Sequence, residues 1–251
     1  MKYHLEFVDL LPYWPVFIKG AWLTLKMTAV AIVIGVTAGV GVAFARRSQR
    51  RWIARSFTIY VEIVRNTPFL VQIYLLYFGL ASYGIRMPTF AAAVLAMIIN
   101  IAAYSAEIIR AGLESIPKGQ IEAAECLGLS KWRIGWHVML QPSIEKVYPA
   151  LTGQFLLMMQ ASAMASQISA EELTAIANTV QSDTFRSLET FIVVAALYVL
   201  LSLFIKLVAW GLGELFFKRR RIVRRDAARA GIRLPAADQA TAALAAHGGA
   251  A

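Results

Sequence analysis

Five stretches of this chain contain no charged residue, and their lengths limit what it can fold into. They are Met27 to Ala45, Asn66 to Ile85, Met87 to Ala106, Val147 to Ala170 and Thr190 to Ile205. A helix needs about 20 largely apolar residues to cross a bilayer. Four runs meet that length. The fifth continues past Lys206 to Gly213, and a lysine near a helix end carries its ammonium group out to the interface. Charged residues make up 16% of the 251, where a soluble domain carries about a quarter. The expectation is an all-α integral membrane protein with five transmembrane helices. The first run is not a signal peptide, because no short basic segment leads into it and arginine-rich sequence follows.

The net charge of +10 is concentrated in blocks. Of 25 Lys and Arg, five lie in 46–55, five in 110–146 and eight in 218–233. Two crossings separate each block from the next, so all three share one side, and basic loops stay cytoplasmic. This places the N-terminus outside and the C-terminus inside. The blocks are suited to anionic lipid headgroups. Their spacing around the spans argues against nucleic acid.

Residues 1–16 form an external lead whose Phe7, Tyr13 and Trp14 suit the membrane interface. In the first span Ala31, Gly35, Gly39 and Ala43 recur every fourth residue. Such a face admits close helix approach, either within the chain or at a dimer seam. At the start of the second span, Glu62 and Arg65 are three apart and share a helix face, so they are expected to pair; a solute contact is the other reading. Pro68 frees a carbonyl one turn earlier and is expected to kink the helix. Asn100, near the middle of the third span, bonds across helices or lines a pathway. The lone Cys126 excludes an internal disulfide and reads as a small packed residue.

The loop at about 111–146 is the polar interruption between long apolar segments. Pro117 suits a helix start and Gly128 a C′ position. Ser130 is a good N-cap for a second short helix, which Pro142 is expected to end. The fourth span carries Gln154, Gln160, Ser162 and Ser166. Glu171 to Asn178 reads as a short external amphipathic helix. From Pro235 the tail is almost all Ala and Gly and reads as disordered.

No Gly-x-x-x-x-Gly-Lys-Ser/Thr phosphate loop occurs, nor a Gly-x-Ser-x-Gly elbow. His4, His137 and His247 are too scattered to form a metal site with Cys126. No catalytic, cofactor or metal residue is expected, and the chain does not read as an enzyme.

Three segments resemble the polar amino-acid uptake branch of ABC-importer permeases. They are Tyr60 to Gln72, Ala102 to Arg110 continuing through Ser115 to Ala124, and Gly128 to Trp132. Phe185-Arg186 is similar as well, and the likeness spans about residues 16–215. Glu122-Ala123-Ala124, with Gly128 four residues on, resembles the EAA loop of that family. There are two departures. Gln141 follows Leu140 where the family has proline, which here stands at 142. Gln160-Ala-Ser-Ala-Met164 replaces a usual Lys-Asp/Asn-Thr-Ser-Leu run.

The resemblance implies a multi-pass inner-membrane permease of bacteria. Residues 17–215 would be the transmembrane domain, with a cytoplasmic coupling loop at about 111–146 and a basic, then Ala-rich tail at 216–251. Gly119, Glu122, Ala123, Ala124, Gly128 and Ser130 would engage an ABC ATPase dimer, which binds the ATP. A second permease subunit, identical or similar, would complete the pathway, and a periplasmic solute-binding protein would deliver the solute. Gln72, Asn100, Gln154, Gln160 and Ser162 are the candidate pathway residues. The rival class, a secondary transporter or channel uncoupled from ATP, predicts inverted repeats or several embedded charges; neither is evident.

Overall fold

The long apolar runs fold as helices around breaks, and the breaks position the site. The structure, a computed structural model, describes residues 4–216, all helical or connecting. The basic and Ala-rich tail lies outside the described residues. A 3-10 turn at Val8–Tyr13 enters α1, Trp14–Ala45; then follow α2, Arg51–Asn66, and α3, Phe69–Ser82. Next come α4, Thr89–Glu114, and α5, Lys118–Cys126. Helical turns at Lys131–Arg133 and Ile134–Leu140 lead into α6, Gln141–Ala161. Finally come a 3-10 stretch at Ser162–Ile168, α7, Leu173–Thr184, and α8, Ser187–Phe216. Among the described residues three helical segments are long and apolar enough to cross a membrane: Val8–Ala45, Thr89–Glu114 and Ser187–Phe216.

The described residues form two compact units, one of residues 4–110 and 153–205, the other of 111–152 and 206–216. In the first, Met27 and Ala31 of α1, Ile73 of α3, Met97 and Ile101 of α4 and Met158 of α6 share a buried cluster. The small face of α1 packs there, within the chain. A Cβ on Gly35 would stand 2.8 Å from Ile101, and one on Gly39 would stand 2.9 Å from Ser105 and 3.0 Å from the Ala102 carbonyl. The backbones meet because no side chain separates them. A second cluster joins Leu10, Phe17 of α1, Leu173 and Ile176 of α7 and Val194 of α8. The α7 helix is capped by Glu172, whose side chain accepts from Ala175 N at 2.8 Å. It runs six residues beyond the expected external helix, to Thr184.

Three expectations are corrected. Pro68 does not kink a continuous helix; α2 stops at Asn66, because a residue preceding proline is driven out of the α region. Thr67 is extended, with φ −109 and ψ 132. Pro142 does not end a helix, since helical backbone runs from Lys131 to Ala161. Residues Ile134–Leu140 adopt wide π turns, which make room for a ring that would crowd the carbonyl four residues back in a regular turn. Cys126 is exposed, not packed.

Candidate functional site

The first candidate site is the polar loop. Helix α5 begins after Pro117, which sits at φ −59 and ψ 135, and contains the good helix formers Glu122, Ala123 and Ala124. Its end is a Schellman closure: Gly128 N donates to Glu125 O at 2.9 Å and Leu129 N to Ala124 O at 3.2 Å. Gly128 sits at φ +71 with nothing within 4 Å of where its Cβ would be. Glycine is needed there for conformation, not for space. Ser130 Oγ then accepts from Arg133 N at 3.4 Å, starting the next turn as expected.

The loop buries one side and leaves the other bare. Ala124 and Ile134 are buried, and α5 packs on the Ile134–Leu140 stretch. Gly119, Glu122, Ala123, Cys126 and Ser130 are exposed. Leu127 is 80% exposed and Trp132 75%, and Trp132 stacks on Trp136 with centroids 5.9 Å apart. The paired Ala motif is therefore split, one residue facing inward and one outward. Sequence reasoning missed the tryptophan pair, though its i, i+4 spacing was the available signal. Glu122, Lys131 and Arg133 of the same loop are exposed as well.

The second candidate site is a cavity of about 360 Å³ beside the α2–α3 break. Residues 65–69 form one wall, Asn100 and Tyr104 of α4 another, and Gln154, Leu157, Met158 and Ala161 of α6 the third. Irregular backbone at membrane depth is tolerated where it is buried or lines a cavity. Gln72 makes the break tenable: its Nε2 donates to Val64 O at 2.7 Å and to Thr67 O at 2.9 Å, supplying carbonyls that the lost helical turn leaves free. Its Oε1 accepts from Asn100 Nδ2 at 3.0 Å. Asn100 thus both bonds across helices and lines the cavity.

Of the five pathway candidates, Asn100 and Gln154 share the cavity wall and Gln72 holds Asn100 from behind. Gln160 is exposed and does not line it. Ser162 is buried, its hydroxyl donating to Met159 O within its own turn at 2.6 Å. The expected Glu62–Arg65 pair is not formed. Arg65 lies 3.6 Å from Glu107 of α4, while Glu62 is exposed. Glu107 also meets Arg46 and Arg110 at 2.5 Å each, which joins α1, α2 and α4 through one carboxylate.

Gln72→Leu is expected to lower the melting temperature of the solubilised protein. Each buried polar group left without a partner costs about 1–3 kcal/mol. Gln154→Leu is expected to have little effect, because Gln154 makes no hydrogen bond among the described residues. Equal melting shifts would contradict the capping role.

Among the described residues the chain is all helical, with membrane-length apolar helices, an exposed loop helix and a cavity at a broken helix, the build of an integral membrane protein. Residues 31–222 match the model of the binding-protein-dependent transport system inner membrane component, and the chain belongs to that family. It is similar to the octopine transport system permease protein of Rhizobium meliloti, at 33% identity over 86% of this chain and 94% of that protein. It is also similar to the nopaline transport system permease protein of Agrobacterium fabrum, at 33% identity over 75% of this chain and 82% of that one. Among solved structures, an amino acid ABC transporter crystallised with histidines matches with a TM-score of 0.76 and 37% identity, covering 84% of this chain and 99% of that one. As an inner-membrane permease subunit, the chain is not itself the ATPase, which is a separate subunit of such systems.

Proposed function

We propose that this chain forms the translocation pathway of an ATP-driven importer for a polar amino acid or a similar small solute. The exposed face of the polar loop carries the reading: an uncovered apolar and aromatic surface on a short helix whose exit is fixed by Gly128. The names of the relatives, octopine and nopaline permeases, and the amino acid transporter structure support the solute class.

Five spans cross the membrane with the N-terminus outside and the C-terminus inside, residues 17–215 forming the permease domain after a lead of 1–16. An ATPase dimer docks from the cytoplasm on Gly119, Glu122, Ala123, Gly128 and Ser130, with Ala124 holding the loop helix to its own support. The ATP is bound there, and no cofactor is needed in this chain. A second permease subunit encloses the pathway, and a periplasmic binding protein delivers the solute. Closure of the ATPases swings the loops and shifts the population from inward-facing to outward-facing, by differential binding of the two states. The solute rests in the cavity at the α2–α3 break, touching Asn100 and Gln154; Gln160 at the end of α6 and Ser162 at the start of the 3-10 stretch border the route farther on.

The test is ATP hydrolysis. The chain alone is expected to hydrolyse none, and the full importer in liposomes is expected to hydrolyse ATP in response to solute-loaded binding protein. Hydrolysis by a preparation free of partner subunits would refute the reading. The side of each loop is tested by labelling. In a Cys126→Ser background, cysteines at Gln49 and Lys118 are expected to react only from the cytoplasm and one at Thr179 only from outside. Labelling of position 49 from outside would sink the five-span arrangement.

A further inference from the structure

Among the described residues, Arg65 is the one on the cavity wall that carries a full charge. Its guanidinium donates no hydrogen bond among the described residues. Glu107 attracts it from 3.6 Å, beyond hydrogen-bonding reach. That carboxylate is already engaged, its Oε2 by Arg46 and its Oε1 by Arg110, both at 2.5 Å. Glu62, one turn earlier on the same helix, makes no ion pair with it. What fixes the group is the Tyr104 ring, with the guanidinium carbon 5.5 Å from the ring centre. A cation–π contact at this distance draws on none of the guanidinium's N–H donors. A charge at a membrane-embedded cavity is costly and is retained where it serves a function.

The rest of the wall is neutral. Asn100 and Gln154 supply amides, and Phe69, Leu157 and Met158 supply apolar surface. Among the described residues no carboxylate lines it, so beyond the amide oxygens of Asn100 and Gln154, which can accept from an α-ammonium group, the wall offers no ionic partner for a cationic side chain. A planar fork of free donors, held in place beside a small cavity, matches a carboxylate in bidentate geometry. We infer that Arg65 receives the α-carboxylate of the transported solute, and that this pocket favours an amino acid whose side chain is uncharged. The inference rests on the proposal that the cavity is the solute's resting place.

Binding to the purified importer, full chain with its ATPase, separates the two claims. The probes are tritiated L-glutamine, L-cystine and L-arginine, each with its α-carboxamide. The wild type is expected to retain glutamine or cystine in preference to arginine. It should prefer the free acid to the amide by about tenfold, the worth of one charge-assisted contact. Arg65→Gln should abolish that preference and Arg65→Lys should keep part of it. Glu107 retains Arg46 and Arg110 at 2.5 Å in either variant, so Arg65→Gln removes only the longer 3.6 Å contact to α2, which Arg65→Lys can in part replace. Met158→Trp, which fills the cavity, should abolish retention of every probe.

If Met158→Trp abolishes binding while Arg65→Gln still prefers the acid as wild type does, the carboxylate assignment is wrong and the pocket reading stands. Retention unaffected by Met158→Trp, or no retention of any probe by the wild type, overturns both. A wild type that prefers arginine, or that does not distinguish acid from amide, overturns the inference without needing any variant to fold.

Discussion

Gly128→Val and Glu122→Lys are each expected to leave the chain in the membrane at near-normal levels, strip it of its ATPase on purification, and reduce uptake to near background. The two act differently. At φ +71 a β-branched residue is strained, at about 1–3 kcal/mol. No clash adds to this, since a Cβ there meets nothing within 4 Å. The strain is relieved by opening the closure between Leu129 N and Ala124 O, and α5 then leaves at a different angle. The docking face is misplaced while both compact units persist. Glu122 is exposed and belongs to no ion pair among the described residues, so reversing its charge does not disturb the fold. Its effect falls on the partner surface, where a like-charge contact costs several kcal/mol, a loss of about a hundredfold or more in affinity. Gly128→Ala should lie between wild type and valine. Co-purification, membrane protein level and uptake measured on the same cells decide the matter; retained ATPase with normal uptake would remove the loop as the coupling element.

Some of this was legible in sequence because the determinants are local. Gly128 and Ser130 act on backbone groups within a few residues, so their spacing alone predicted both caps. The apolar runs around α1, α4 and α8 were equally plain. The failures share a cause in long-range choice. A local template pairs Arg65 with Glu62 three residues away, but the fold presents Glu107, 42 positions on, together with Arg46 and Arg110. No periodicity announces that partner. Gln72 looked like a pathway residue because it is polar in an apolar run; its amide is instead taken up by the break that Pro68 creates. The rule that a residue before proline avoids the α region was enough to foresee the extended Thr67. Pro142 misled in the opposite sense, because π turns are not encoded by a motif as short as one proline. The exposure of Cys126 depends on which face of α5 meets the Ile134–Leu140 stretch, and a helix of nine residues with two alanines side by side does not declare that.

Gly39→Val is expected to be the most damaging single change in the spans, and its damage should appear as loss of protein, not loss of coupling. The Cβ would stand 2.9 Å from Ser105 Cβ, 3.0 Å from the Ala102 carbonyl oxygen and 3.2 Å from Ala106 N. Two of those three neighbours are backbone atoms of α4, which have no rotamer in which to retreat. Relief requires α1 and α4 to separate along the buried face that includes Gly35 and Ile101, and overpacking of this kind costs about 1–3 kcal/mol even where side chains can adjust. Here they cannot, so the upper end or beyond is expected, a large fraction of a typical fold's stability of about 5–15 kcal/mol. The internal control is Gly41, two residues away on the same helix, where an added Cβ meets nothing within 4 Å. Gly41→Ala should match or exceed the wild type in melting temperature, since alanine is the better helix former by about 1 kcal/mol. Membrane abundance and melting temperature of the two variants, compared side by side, settle whether the small face is an internal seam. If Gly39→Val accumulates and melts like wild type but fails only in pairing with a second permease subunit, the face belongs to a subunit interface and its packing against α4 is not what the glycines serve.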